Sequence, residues 1–507
     1  MRTSGAHPAR ARSAQRVMKR IARREPPKAA KRLAQKILHF SFFIFHFDNM
    51  SILIKNGRIA TASEDYEADL LIQGGKIIAI GKNFQVDADE VIDATGKIIF
   101  PGAIDPHVHL DMPFMGTFSS DNYSTGTLAA LHGGTTTVID FVLQTQGKSL
   151  DYALQQWKGR SDGNCFGDYS FHMAVTDFNE STRAEIGTMV REHGITSFKT
   201  FMAYKGALMI DDGQMVLLME EVKKQGGMVT VHATNGDMID SMIAKHRAEG
   251  KLSPLYHYLS QPEVTESEAS NRFAELAEYT GVPAYIVHMT CEGALQAIRR
   301  ATMRNHRVMA ETCIQYLMLD ANLYEREDGA KWVMSPPLRE KKDQAALWAG
   351  INQGSIQVVA TDHCPFKWEQ KLMGKDDFSK IPNGHPAIEH RVELLYSEGV
   401  AKGKISLHKF VEVLCTNPAK IFGLYPRKGY IGIGADADVV IFDPNAKHIL
   451  TAQTHHMNVD YSSYEGVEVQ GKCETVILRG KIAVHKGEVK IEKGYGQYIK
   501  RDHVQVV

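Results

Sequence analysis

Two rhythms of apolar residues run along the chain. Between residues 101 and 422, short β-branched and aromatic runs recur with amphipathic stretches between them. The runs are "AIDPHVHL" (103–110), "TTTVIDFV" (135–142), "DYSFHMAV" (168–175) and "SFKTFMA" (197–203), then "GMVTVHAT" (227–234), "AYIVHMT" (284–290), "HRVMAE" (306–311) and "IQVVATDH" (356–363). The intervening "DGQMVLLMEEVKKQ" and "EGALQAIRRATMRN" carry apolar residues three and four apart, which is helix spacing. Eight strands joined by helical crossovers predict an α/β fold, a (β/α)8 TIM-type barrel over 101–422. The second rhythm is shorter and broken by glycines: "ILIKNGRIA", "DLLIQGGKIIAIG" and "VIDATGKIIF" near the start, "GADADVVIFDPN" and "VEVQGKCETVILRGKIAVHKGEVK" near the end. This predicts a small β-sandwich domain assembled from residues 50–100 and 423–490, with 491–507 left as a C-terminal tail.

Composition adds limits. The 507 residues carry a formal net charge of zero, which argues against a nucleic-acid or anionic-membrane partner. That zero hides an asymmetry, because twelve of the 59 Lys/Arg but only two of the 59 Asp/Glu fall in residues 1–49. Everything after that basic extension is acidic by ten charges. Residues 1–49 have the Arg-rich, acid-poor character of a targeting peptide, yet no small-residue cleavage site separates their apolar run from Met50. They are therefore read as an extension outside the working fold, with Met50 as its effective start. No apolar run reaches the ~20 residues of a membrane span. Six scattered cysteines without a CxxC pair fit a reducing, cytoplasmic setting.

The chemistry sits at the carboxyl ends of the predicted strands, where barrel active sites form. "DPHVHLD" puts His107 and His109 two residues apart, on one face of an extended strand. Alone, such a pair is as consistent with a polar strand end as with a metal clamp. Lys199 on the fourth strand, His232 on the fifth, His288 on the sixth and Asp362 on the eighth converge on the same end. Each alone could be a hydrogen-bonded core group; together they point to a metal site with room for substrate.

Seven blocks, "DPHVHLDMP", "SFKTFMAYKGA", "VHATNGDMID", "VHMTCEGA", "MSPPLRE", "ATDHCPF" and "IPNGHPAIEHR", resemble in order the motifs of the dihydropyrimidinase and hydantoinase family of cyclic amidohydrolases. The resemblance runs from about Met50 to the tail. It implies two divalent metal ions, usually Zn2+, bridged by Lys199 after its carboxylation by CO2. His107, His109 and Asp362 would hold one ion, His232 and His288 the other. It also implies that Asp362 carries the proton from water to the leaving nitrogen and that Tyr204 donates to the oxyanion. Ser335 and Asn383 match positions whose main chain holds the substrate's imide edge, and Phe114, Phe201 and Leu208 shape the pocket for the ring substituent. His363, His455 and His456 are expected to stay off the metals, and Asp105 to be a supporting group. Asp111 stands where dihydroorotases typically carry Arg, which disfavours that branch.

The family implies hydrolysis of a small cyclic ureide, a dihydropyrimidine or hydantoin, to an N-carbamoyl amino acid. An allantoinase-like enzyme is the alternative within the class, and a non-catalytic dihydropyrimidinase-like scaffold the alternative outside it. Retention of all six ligand positions disfavours the scaffold. One departure is Thr234, where relatives usually have Glu. The tail "GYGQYIKRDHVQVV" resembles the segment that contacts a neighbouring subunit in the family's homotetramers.

Overall fold

A computed structural model describes residues 50–304, 306 and 308–507; the expectations placed on 1–49 lie outside them. The eight predicted strands form one parallel sheet, each pairing with the next in chain order. They are β1 (Ala103–Val108), β2 (Thr135–Leu143), β3 (Asp168–Ala174), β4 (Ser197–Phe201), β5 (Met228–His232), β6 (Ala284–Ile286), β7 (Val308–Cys313) and β8 (Val358–Ala360). Both faces are covered, so the strands read as near-continuous buried runs. The helices Asp212–Lys224 and Glu292–Met303 occupy the two amphipathic stretches.

The barrel is drawn shut beside the predicted metal ligands. The His109 N–H donates to the His363 carbonyl at 2.8 Å, and the His363 N–H to the His107 carbonyl at 3.3 Å. Lower down, the fully buried Arg391 guanidinium donates to Ile104 O, Val359 O and Thr135 Oγ1 at 2.9–3.0 Å, stapling β1, β8 and β2 together.

The sixth and eighth strands fall furthest short of their predicted length, and the cause is local. His288 and Asp362 adopt φ of 41° and 51°, a left-handed conformation that cannot continue a ladder. β6 and β8 therefore stop before the side chains of interest, which lie on the turns just beyond. The pleat is consequently not what directs His363 away from His107 and His109. Its ring is held elsewhere, with Nε2 3.0 Å from Asp121 Oδ2 and Nδ1 accepting from Ala387 N–H.

Strands from both ends of the chain build a second sheet of nine strands. Its seam is the antiparallel pairing of Val439–Ile449 with Ile98–Pro101. Ile52, Ile59, Leu70, Ile72, Ile99, Val439 and Ile477 belong to a core of its own. Because Ile98–Pro101 runs through Gly102 straight into β1, this sheet anchors the strand that carries His107. The tail lies on this chain's own barrel: Ile499 N–H donates to Tyr169 O at 2.7 Å and Tyr169 N–H to Gln497 O at 3.0 Å, at the start of β3 and the opposite end from the site. Among the described residues no helix is long and apolar enough to cross a membrane.

Candidate active site

All twelve residues singled out in the sequence line one cavity of about 640 Å³, open mouth included. His107 comes from β1 and His109 from the residue after it. Lys199 comes from the middle of β4 and His232 from the end of β5. His288 and Asp362 come from the left-handed turns after β6 and β8. The polar wall is Tyr204, Ser335 and Asn383, and the apolar rim is Phe114, Phe201 and Leu208. Tyr204 also has a positive φ, 63°, so three site residues hold a backbone conformation that side chains with a Cβ disfavour.

The nitrogens and oxygens converge in two groups. Asp362 Oδ1 lies 3.1 Å from Nε2 of both His107 and His109. On the other side His288 Nε2 lies 2.8 Å from His232 Nδ1. Those separations suit donor atoms that share an ion, and neutral imidazole and carboxylate are a suitable donor set for a divalent metal. The first three form a candidate metal site. Lys199 lines the same cavity, fully buried, with its Nζ 4.9 Å from the Phe141 ring centre and 5.4 Å from that of Phe201.

Electrostatics follow from burial and these neighbours. Burial lowers Lys199 to about 8, so a tenth or so of the amine is unprotonated near neutrality. Burial pulls His107 down, but the carboxylates of Asp362 and Glu311 outweigh it and carry it up to about 9. Burial holds His232 at about 3, a neutral imidazole with a free lone pair. Burial pushes Asp362 up, and the flanking imidazoles more than reverse this, keeping it well below the usual carboxylate range. Burial raises the Tyr204 phenol, which stays a proton donor.

Several supporting residues had no place in the sequence reading. Glu311, at the fourth position of β7, takes the His107 Nδ1 hydrogen bond and so turns Nε2 toward Asp362. It also accepts from the Tyr285 hydroxyl at 2.9 Å and His288 N–H at 3.2 Å. Thr234 Oγ1 lies 2.9 Å from His232 Nε2, leaving Nδ1 for the cavity. A hydroxyl thus does the orienting that a carboxylate could have done there. Asp105 accepts from Thr361 Oγ1 at 2.6 Å and His107 N–H at 3.2 Å, bracing the segments that carry His107 and Asp362. Asp111 pairs with Arg160. His456 binds Glu389 and His455 faces Tyr461 O, both outside the cavity.

The main-chain N–H and C=O of Ser335 and Asn383 make no hydrogen bond among the described residues. Free main-chain donors and acceptors on two residues that line the cavity are the kind of group that can recognise a flat ring with alternating donors and acceptors.

Residues 98–483 match the amidohydrolase family. The chain belongs to that family. A D-hydantoinase of Geobacillus stearothermophilus is 47% identical over 455 residues, covering 89% of this chain and 97% of the relative. A dihydropyrimidinase of Dictyostelium discoideum is 39% identical over 456 residues, 89% of this chain and 91% of the relative. The crystal structure of dihydropyrimidinase from Brevibacillus agri NCHU1002 superimposes with a TM-score of 0.89 at 46% identity, covering 90% of this chain and all of that one. Within the family the chain falls in the hydantoinase and dihydropyrimidinase branch of cyclic-amide hydrolases.

Proposed function

We propose that the protein hydrolyses the cyclic amide bond of dihydropyrimidines or hydantoins, giving N-carbamoyl amino acids. The observation that carries this is Lys199: a fully buried lysine set among four histidines and Asp362, facing a cavity with an apolar rim and a hydrogen-bonding wall. A bare ammonium would repel metal cations, whereas its neutral amine, available at a pKa of about 8, reacts with CO2 to become an anionic two-oxygen ligand. In this proposal Lys199 would be carboxylated and would help to hold two zinc ions, with His107, His109 and Asp362 serving one and His232 and His288 the other. When bound, the ions polarise the ring carbonyl and lower the pKa of a water from 15.7 toward about 7.

The chain's own groups do the rest. Asp362, kept ionised by its imidazole neighbours, takes a proton from the attacking water and delivers it to the departing ring nitrogen. Tyr204 donates its O–H to the carbonyl oxygen as negative charge develops there. The free main-chain groups of Ser335 and Asn383 hold the imide edge, and Phe114, Phe201 and Leu208 enclose the ring substituent.

The test is a kinetic panel of dihydrouracil, 5-substituted hydantoins and allantoin on metal-loaded protein. Turnover of the first two is expected, and hydrolysis of none, or of allantoin alone, would refute the assignment. We propose a cytoplasmic homotetramer. Six unbridged, buried cysteines support the reducing compartment. The tail's likeness to the family's subunit contact supports the assembly, and light scattering near four times 56.5 kDa would check it.

A further inference from the structure

Lys371 ends the short helix Trp368–Lys371 and is fully buried, yet no carboxylate pairs with it among the described residues. Burial pulls Lys371 down to about 7, but its Nζ meets three main-chain carbonyls, those of Val333, Pro382 and Gly384, each at 2.8 Å, and only the ammonium, with three N–H, can donate to all of them. A buried cation without a counter-ion persists only if hydrogen bonds saturate it, and a lysine has three donors; here all three are used.

The identity of those carbonyls is what matters. Val333 lies two residues before Ser335, and Pro382 and Gly384 flank Asn383. The same two segments are tied by the Gly384 N–H to Val333 O bond at 3.0 Å and by Asn383 Nδ2 to Ser335 Oγ at 3.1 Å. His257 Nε2, 2.7 Å from Met334 O, fixes the carbonyl in between. The carbonyls of Val333, Met334, Pro382 and Gly384 around the two recognition residues are therefore all engaged, while the main-chain groups of Ser335 and Asn383 themselves make no hydrogen bond among the described residues. A side chain that only filled space could not aim three carbonyls at one point. Three charge-assisted donors can, because each bond loses strength when its carbonyl turns away.

We propose that Lys371 is the positioning residue of the substrate's imide edge. It sets the spacing between the Ser335 and Asn383 main chains and thereby the affinity for the ring. This rests on the cyclic-amide hydrolase function proposed above. Lys371 touches neither the ligand set nor the reacting atoms, so its removal should weaken ring binding more than the chemical step.

The experiment compares wild-type protein with Lys371→Met and Lys371→Gln, all metal-loaded, on hydantoin and dihydrouracil, with metal content and circular dichroism recorded alongside. Lys371→Met is expected to raise KM by about tenfold or more with kcat within about threefold and metal content unchanged, the pattern of lost uniform binding. Lys371→Gln, which keeps two donors, should fall between. An unchanged KM in a folded variant would overturn the proposal, as would kcat and metal content falling together. Failure of both variants to fold would also overturn it, since the contact would then serve the fold alone. An inactive wild type would remove the proposed function and this inference together. An active wild type beside an unaltered Lys371→Met would remove only the inference.

Discussion

Replacing Glu311 by Gln isolates what one buried carboxylate does for the candidate metal centre. Glu311 accepts from three buried donors: His107 Nδ1–H, the Tyr285 hydroxyl and His288 N–H. Alanine would orphan all three at ~1–3 kcal/mol each. The total, ~3–9 kcal/mol, is comparable with the ~5–15 kcal/mol of a whole domain, so that variant would report mainly on folding. Glutamine keeps the shape. Its oxygen can still face His107 and His288 if its amide faces Tyr285, whose hydroxyl rotates to accept. What is lost is the charge on the bond to His107, ~1–2 kcal/mol if a charged hydrogen bond becomes a neutral one. Orienting partners of metal-bound histidines typically matter at the 10–100-fold level in affinity. Glu311→Gln should therefore bind zinc about tenfold more weakly, measured by competition with a chromogenic chelator, with a urea midpoint close to wild type. Wild-type zinc affinity in the folded variant would refute the role given to Glu311.

Tyr204→Phe should lower kcat by more than about tenfold while metal content holds, the loss expected of one oxyanion donor; equal kcat would remove Tyr204 from the mechanism. Thr234→Val should weaken zinc binding by about tenfold through a misoriented His232, read by the same chelator competition. The pH dependence of loading follows from Lys199. Its folded pKa of about 8 lies below the ordinary 10.5, so the reactive amine increases as pH rises through 8. Reconstitution at fixed dissolved CO2 should therefore improve from about pH 7 to 9 in metal uptake. In the metal-free protein His107 works in the other sense. Its folded pKa of about 9 lies above 6.5, so its contribution to stability is complete below pH 6.5 and is lost as pH rises through 9.

The barrel was legible because each strand is a compact apolar run and each crossover carries helical spacing, signals that survive in isolation. The cavity residues were legible because they fall in recognisable blocks, several of them at the ends of those runs, and the fold brings all twelve to one space. What escaped depends on contacts distant in sequence. Glu311 meets His107 across 204 residues and Tyr285 across 26, and in "HRVMAE" it reads simply as a polar strand end. Lys371 lies in the charged stretch "QKLMGKDDFSK", where a lysine is ordinarily solvated, and nothing local announces three buried carbonyls waiting for it. The early ends of β6 and β8 escaped for a different reason. Asp and His tolerate left-handed backbone better than most residues, but neither type adopts it often enough for the sequence to announce that His288 and Asp362 do.

Elemental analysis of wild-type protein beside Lys199→Ala, both purified with zinc and bicarbonate present, tests the centre of the account. Two equivalents of divalent metal per wild-type chain, and loss of metal in Lys199→Ala, are expected. A wild-type chain without bound metal, or a Lys199→Ala variant that keeps the same two equivalents, would contradict it.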